Sequence, residues 1–315
     1  MMKLGLERRT RMLFSDDRCG KAFAKDPAVV FFRGRYYMYY STLQPEAPQD
    51  GFRIGIAVSD DGCNWKICGL LPLTQACEEK GIAAPGAVVL GNRVHLFYQT
   101  YGNGKKDAIC HAESGDGVTF GKDPDNPIFR PTGDWCCGRA IDADVCLFQN
   151  RLYLYTATRD HGFSVQKIAA AFAELNEDGT GFGPFQQLCR GAVLFPELIW
   201  EQNCTEAPAC LVQDGRLYLF YGGAYNCAPQ QIGCAVSIDG RTFDKLFLDK
   251  PMIPNGQKGS FNASESGHPI AFRDVDGKVW LYYQGSPDNG DTWYLSRIQI
   301  SFDEKGIPYT VNPLP

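Results

Sequence analysis

The stretch Ala28-Val29-Val30-Phe31-Phe32-Arg33-Gly34-Arg35-Tyr36-Tyr37-Met38-Tyr39-Tyr40 decides the fold. Two runs rich in β-branched and aromatic residues flank Arg33-Gly34, a dipeptide suited to a tight reversal, so the segment is expected to form a β-hairpin. The pattern returns four times. Val94-His95-Leu96-Phe97-Tyr98 follows Gly91-Asn92, Leu152-Tyr153-Leu154-Tyr155 follows Gln149-Asn150, Leu217-Tyr218-Leu219-Phe220-Tyr221 follows Asp214-Gly215, and Val279-Trp280-Leu281-Tyr282-Tyr283 follows Asp276-Gly277. Each turn is preceded by another apolar run.

A second signature trails each hairpin: Ser59-Asp60-Asp61-Gly62 with Trp65, Ser114-Gly115-Asp116-Gly117 with Phe120, Asn176-Glu177-Asp178-Gly179 with Phe182, Ser237-Ile238-Asp239-Gly240 with Phe243, and a weaker Asp303-Glu304-Lys305-Gly306 with Tyr309. Their glycines lie 55, 62, 61 and 66 residues apart. A unit of that length holding four short strands is one blade of a β-propeller. The expected fold is therefore all-β: a five-bladed β-propeller with four-stranded antiparallel blades around a central channel. It forms one domain over residues 1–315, with blades at approximately 20–80, 81–135, 136–200, 201–260 and 261–310. A β-sandwich would not repeat one hairpin and one Asp-Gly-aromatic turn five times in register. Residues 165–175 have the composition of a helix, yet the repeat assigns them to the third strand of their unit.

Composition agrees. Among 315 residues there are 34 Gly, 19 Pro, 20 Phe, 15 Tyr and 5 Trp, which favours short strands and tight turns. With 31 basic against 36 acidic side chains the net charge is −5, which gives no support to a nucleic-acid or anionic-membrane partner. No apolar run reaches the roughly 18 residues of a membrane span, and Met1 to Arg11 lacks the apolar core of a secretory signal. The 13 cysteines are odd in number, scattered, and contain no CxxC pair. A reduced, cytoplasmic protein is expected.

In a propeller the innermost strands line the channel, so residues opening those strands in different blades meet around one axis. Alignment on the hairpins matches Asp26 with Ala84 and Asp142. One extra residue in the fourth hairpin brings Glu206 to the same level, and the fifth unit contributes His268. Converging carboxylates repel one another and cost stability unless they do chemistry or hold a cation. Two carboxyl groups across a small polar cavity are what glycoside hydrolysis needs, one protonating the leaving oxygen and the other activating water or attacking the sugar. A third carboxylate nearby can keep the acid protonated.

The blade openings Lys25-Asp26-Pro27-Ala28-Val29-Val30, Ile141-Asp142-Ala143-Asp144-Val145, Thr205-Glu206-Ala207-Pro208 and Gly267-His268-Pro269 resemble, in that order, those of glycoside hydrolase family 43. The resemblance runs from Asp26 to Phe302 and takes in all five units. It implies Asp26 as general base, Asp142 as the carboxylate that tunes and orients the acid, and Glu206 as general acid, in an inverting mechanism. It implies no required cofactor, with calcium or another cation in the central channel near His268 as the ion to look for. Two departures bear on this. The third opening lacks the proline often found after its Asp and offers Asp144 two residues on, expected on the same strand face as Asp142. The fourth reads Glu-Ala-Pro where Glu-Gly-Pro is commoner, with Glu201 nearby as a rival acid.

Sugar contacts are sought in loops of the same face. Trp135, Trp200, Tyr225 and Phe52 offer aromatic faces for sugar rings, and Arg139 and Gln284 offer donors for hydroxyls. The expected activity is release of terminal arabinofuranosyl or xylosyl units from short oligosaccharides, with no nucleic-acid or membrane partner. The oligomeric state is not written in the sequence. A family 130 type of phosphorylase would need Arg, Lys and His around the acid to hold phosphate, and no such cluster is evident near Glu206 in the sequence. Family 32 enzymes would open on Trp-x-Asn-Asp-Pro, and sialidases have six blades and a longer Asp-to-Gly turn. A carbohydrate-binding propeller without turnover is disfavoured by the intact Asp26, Asp142 and Glu206.

Overall fold

The computed structural model describes residues 12–311, so the reading of Met1 to Arg11 as lacking a leader lies outside the described residues. The described residues open with a short strand, β1 (Leu13–Phe14). Blade I then comprises β2 (Lys25–Phe32), β3 (Arg35–Leu43), β4 (Phe52–Ser59) and β5 (Lys66–Leu70). Blade II comprises β6 (Ile82–Leu90), β7 (Arg93–Thr100), β8 (Ile109–Ser114) and β9 (Gly121–Lys122). Blade III has β10 (Ile141–Phe148), β11 (Arg151–Arg159), β12 (Gln166–Glu174) and β13 (Gln186–Gln187). Blade IV has β14 (Thr205–Gln213), β15 (Arg216–Gly223), β16 (Gln231–Ser237) and β17 (Asp244–Lys245). Blade V has β18 (Glu265–Arg273), β19 (Val279–Ser286) and β20 (Tyr294–Phe302), and β21 (Pro308–Thr310) pairs with β20. Each blade is an antiparallel meander, and the stretch read as helix-like by composition is the third strand β12.

The ring is closed by chain ends that meet in one blade. β1 pairs with β20 through Leu13–Ser296 and Phe14–Leu295, so the start of the described chain supplies an outer strand of the last blade. That sharing ties the first blade to the last without a covalent link.

The recurring Ser-x-Asp-Gly turn has a physical reason. The serine hydroxyl accepts the glycine N–H at 3.0, 2.9 and 2.9 Å in the turns at Gly62, Gly117 and Gly240, and the aspartate takes the N–H groups that follow. The freed glycine carbonyl then reaches the neighbouring blade. Tyr282 donates to Gly62 at 3.2 Å, Tyr39 to Gly117 at 3.0 Å and Tyr155 to Gly240 at 2.7 Å. In blade IV Tyr218 does the same to Gly306 at 2.8 Å from two residues away, while blade II carries Phe97, which has no hydroxyl to give. Glycine is needed at Gly117 twice over: its φ is +80°, and a Cβ would lie 2.7 Å from the Tyr37 ring. The tyrosines of the second strands are thus both the apolar filling between blades and the inter-blade hydrogen bonds.

Candidate active site

All five inner strands break register at the same place. The pairing slips between Lys25 and Ala28, Ala83 and Gly86, Ile141 and Asp144, Glu206 and Ala209, and Gly267 and Ile270. The first bulged residue of each lies in the left-handed region, at φ values of 50° for Asp26, 46° for Ala84, 54° for Asp142, 51° for Ala207 and 42° for His268. Pro27, Pro85, Pro208 and Pro269 follow in four blades, where the missing N–H costs nothing because the bulge has no ladder partner for it. Non-glycine residues in this conformation cost on the order of 1–3 kcal/mol each. Five together around one axis mark the place where the fold holds strain.

This ladder corrects the alignment of the fourth blade. No extra residue is needed: Ala207 occupies the bulge level of Asp26, Asp142 and His268, and Glu206 stands one residue earlier, level with Lys25 and Ile141. Lys25, Asp26, Asp142, Glu206 and His268 nevertheless line one cavity of about 270 Å³, together with Arg139, Arg159, Gln99, Gln166, Phe52, Tyr101, Tyr225 and Asn226.

The three carboxyl groups differ in their surroundings. His268 Nδ1 lies 3.0 Å from Asp26 Oδ1. Burial pushes the Asp26 carboxyl up, but the His268 and Lys25 charges and hydrogen bonds from His268 and Ser41 outweigh it, holding Asp26 far below the usual carboxylate range. His268 is in turn held above its ordinary value, because the Asp26 and Asp142 charges overcome its burial. Burial and the Asp142 charge act together on Glu206, against His268 and the Gln230 hydrogen bond, and push its carboxyl up to about 8. Asp142 is raised as well, because burial, with the repulsion of Asp26 added, outweighs the attraction of His268, Arg139 and Lys25. At neutral pH Asp26 is ionised and Glu206 keeps its proton.

Side-chain amides fix the Glu206 carboxyl. Gln166 donates to Glu206 Oε2 and Gln230 to Glu206 Oε1, and Arg159 Nε donates to Gln166 Oε1 at 2.5 Å. Lys25 lies beneath the cavity with its Nζ 4.2 Å from the centre of the Trp293 ring.

Of the residues expected from sequence, Asp26, Asp142, Glu206, His268, Arg139, Tyr225 and Phe52 come together on this cavity. The others are placed elsewhere. Asp144 does not share a face with Asp142, because the bulge interrupts the alternation; its Oδ2 accepts the Cys210 N–H of blade IV at 2.6 Å, and burial lifts its carboxyl to about 7. Trp200 stacks on Tyr221 at 5.9 Å and donates to the Phe247 carbonyl, and a Cβ on Gly223 would lie 2.2 Å from its ring. Trp135 donates to its own loop at the Thr132 carbonyl, 3.0 Å away. Gln284 acts from behind, accepting the Asp26 N–H at 3.0 Å and donating to Glu265 at 2.6 Å. Glu201 is fully buried in an ion-paired lock, with Tyr221 at 2.6 Å and Lys245 at 2.7 Å. Glu78 with Tyr98 and Lys122 repeats that lock in blade II.

Sequence reasoning passed over Lys25, Gln99, Arg159, Gln166 and Gln230. For Lys25 the signal was available, since it precedes Asp26 at the level Glu206 occupies in blade IV. The expectation that no cationic cluster stands near Glu206 is also corrected, because strand ends distant in sequence bring Lys25, Arg139, Arg159 and His268 to the same cavity. His268 spends Nδ1 on Asp26, and among the described residues no group of three or more His, Cys, Asp or Glu side chains is arranged to hold a metal ion.

The fold has known counterparts. A structure of a thermostable family-43 glycoside hydrolase is similar at TM-score 0.73, 20% identity, 92% of this chain and 93% of that one. An endo-1,4-beta-xylanase from Bacteroides thetaiotaomicron is similar at TM-score 0.70, 20% identity, 92% and 94%, and an alpha-L-arabinofuranosidase from Lactobacillus brevis at TM-score 0.69, 16% identity, 93% and 95%. The family model of Glycosyl hydrolases family 43 matches residues 19–304, and with the propeller that carries three carboxyl groups on its channel the chain belongs to that family.

Proposed function

We propose that the protein releases terminal arabinofuranosyl or xylosyl units from short oligosaccharides by inversion, with water activated by Asp26 and the leaving oxygen protonated by Glu206. The observation that carries this is the opposite protonation of two carboxyl groups on one cavity, Asp26 held ionised by His268 and Lys25 while Glu206 is pushed up to about 8. A base must begin without its proton and an acid with one. Burial, with the repulsion of Asp142 added, keeps Glu206 protonated, and Gln166 and Gln230 aim it. Similar structures named as a xylanase and an arabinofuranosidase favour pentosides. Thirteen free cysteines fit work in a reducing, cytoplasmic setting, on saccharides small enough to be taken up.

The cations at the cavity raise phosphorolysis as a second reading. Hydrolysis is favoured, because a phosphate nucleophile would have to approach beside ionised Asp26 and be repelled by it. Proton NMR of the first sugar formed from short arabino- and xylo-oligosaccharides tests both readings. Inverted free pentose is expected; a retained product or a sugar phosphate overturns the assignment.

A further inference from the structure

Arg139 and Arg159 line the cavity with donors that no described residue uses. Arg139 gives Nε to Asp107 at 3.4 Å, which leaves both terminal nitrogens unused. Arg159 gives Nε to Gln166 and Nη1 to the Phe163 carbonyl at 3.4 Å, which leaves Nη2. The two guanidiniums share one aromatic ring, their Cζ atoms lying 5.5 and 4.4 Å from the centre of Phe163.

That ring is built in place. Phe163 has φ 62°, in a loop where the Asp160 carboxylate accepts the Ser164 and Val165 N–H groups at 2.8 Å each. Tyr225 of blade IV donates to the Ser164 carbonyl at 3.0 Å, and Lys105 of blade II donates to the His161 carbonyl at 2.9 Å. Two like charges drawn to one ring repel each other, and a shared anion relieves the repulsion. On the cavity wall Lys25, Arg139, Arg159 and His268 stand among Asp26, Asp142 and Glu206, with Asp107 paired to Arg139 and the Glu265 charge acting on Lys25, so the unused cationic donors lie on the Arg139–Arg159 side.

We propose that Arg139 and Arg159 form an oxyanion subsite beside Glu206 that takes a carboxylate or phosphate substituent on the leaving-group sugar. Its side of the cavity follows from the contacts, since Arg159 holds Gln166 and Gln166 holds Glu206. The leaving-group assignment rests on the reading of Glu206 as general acid. The substrate class is then an acidic glycoside, a pentosyl unit attached to a uronate or to a sugar phosphate.

Calorimetric titration of the full chain with D-galacturonate and D-glucose 6-phosphate, against neutral D-galactose and D-glucose, tests this directly. One anion should bind about tenfold or more tightly than its neutral counterpart, as charge-assisted bidentate contacts do, and the advantage should shrink with added salt. Arg139→Gln should abolish the advantage and Arg139→Lys should keep part of it, which separates lost recognition from lost folding. Preference for galacturonate assigns a uronate, and preference for glucose 6-phosphate assigns a phosphorylated sugar. Equal binding of charged and neutral probes, absence of binding by either anion, or an advantage that survives Arg139→Gln overturns the subsite. Turnover of neutral aryl pentosides, measured in parallel, keeps the outcomes apart: full turnover without anion preference sinks the subsite alone, and anion binding without any glycoside turnover sinks the hydrolase reading alone.

Discussion

The backbone N–H of Asp142 donates to Gln99 Oε1 at 2.8 Å, across the boundary between blades II and III. Asp142 is the bulged residue of its strand, so its N–H has no ladder partner and must be met from outside. The same device serves two other blades: Gln284 of blade V takes the Asp26 N–H at 3.0 Å, and Ser41 of blade I takes the Ala84 N–H at 2.7 Å. The second strands of blades I, II and V thus supply a side chain that holds the bulge of the following blade. The corresponding positions in blades III and IV are Ala157 and Gly222, which have none to offer. Both strained carboxylates, Asp26 and Asp142, are therefore positioned by the preceding blade.

Gln99→Leu should remove that acceptor without emptying the volume, leaving a buried N–H unpaired. The expected cost is about 1–3 kcal/mol in urea unfolding, with a fall in turnover larger than any change in KM because Asp142 is no longer fixed. A variant as stable and as active as the parent would show that the bulge holds itself.

A second test concerns blade II, far from the chemistry. His95 and His111 stack with ring centres 5.3 Å apart, and Asp123 pairs with His111 at 3.1 Å. Burial, then repulsion from His111, lowers His95 to about 4. The folded state therefore binds fewer protons than the unfolded chain between pH 6.5, the ordinary histidine value, and about 4. Stability should be fully present above that window and fall as pH drops through it, by a few kcal/mol in all. His95→Phe should flatten the fall; an equally steep profile in that variant would place the acid sensitivity in another group.

Third, Asp142→Asn removes a negative charge beside Glu206. The carboxyl of Glu206 is held up first by burial and then by Asp142, so it should ionise more readily in the variant. The basic limb of the pH profile should move to lower pH, while the acidic limb, set by Asp26, moves little. A basic limb that stays in place or rises would assign it to a different group.

The propeller could be read from the chain because both of its repeated signatures are local, a hairpin and a turn within a few residues. Asp26 and Asp142 were legible for the same reason. Glu206 was reached through an insertion that does not exist, since a carboxylate one residue from the bulge still lines the channel and the pattern alone could not tell position from reach. Asp144 was misplaced because alternation assumes an unbroken strand, and the bulge at Asp142 breaks it. Arg159, Gln166 and Gln230 were invisible. They stand at ends of second and third strands or in the loop just before one, and only the closure of the ring carries them to Glu206. Trp200 and Trp135 looked like sugar platforms by type alone, and the packing around Gly223 and Gly233 explains Trp200 without a ligand.

The roles of the carboxyl groups separate by leaving group. If Glu206 is the acid, Glu206→Gln should nearly abolish cleavage of a natural disaccharide, whose alkoxide leaves poorly without a proton, yet spare much more activity on an activated aryl glycoside. The Gln166 and Gln230 amides face the replaced side chain either way, so the shape of the site is kept. Asp26→Asn should fail on both substrates, because the attacking water has lost its base whichever group departs, and His268 has lost the main charge that raises it. Acid and base steps each contribute on the order of a hundred- to ten-thousand-fold, so the contrast is measurable with initial rates on the two substrates. The buried Glu201 supplies the control. Glu201→Gln breaks its lock with Tyr221 and Lys245 and should lower stability while leaving the ratio of the two rates unchanged. Equal losses on both substrates for Glu206→Gln, or a leaving-group dependence appearing in Glu201→Gln, would move the acid role away from Glu206.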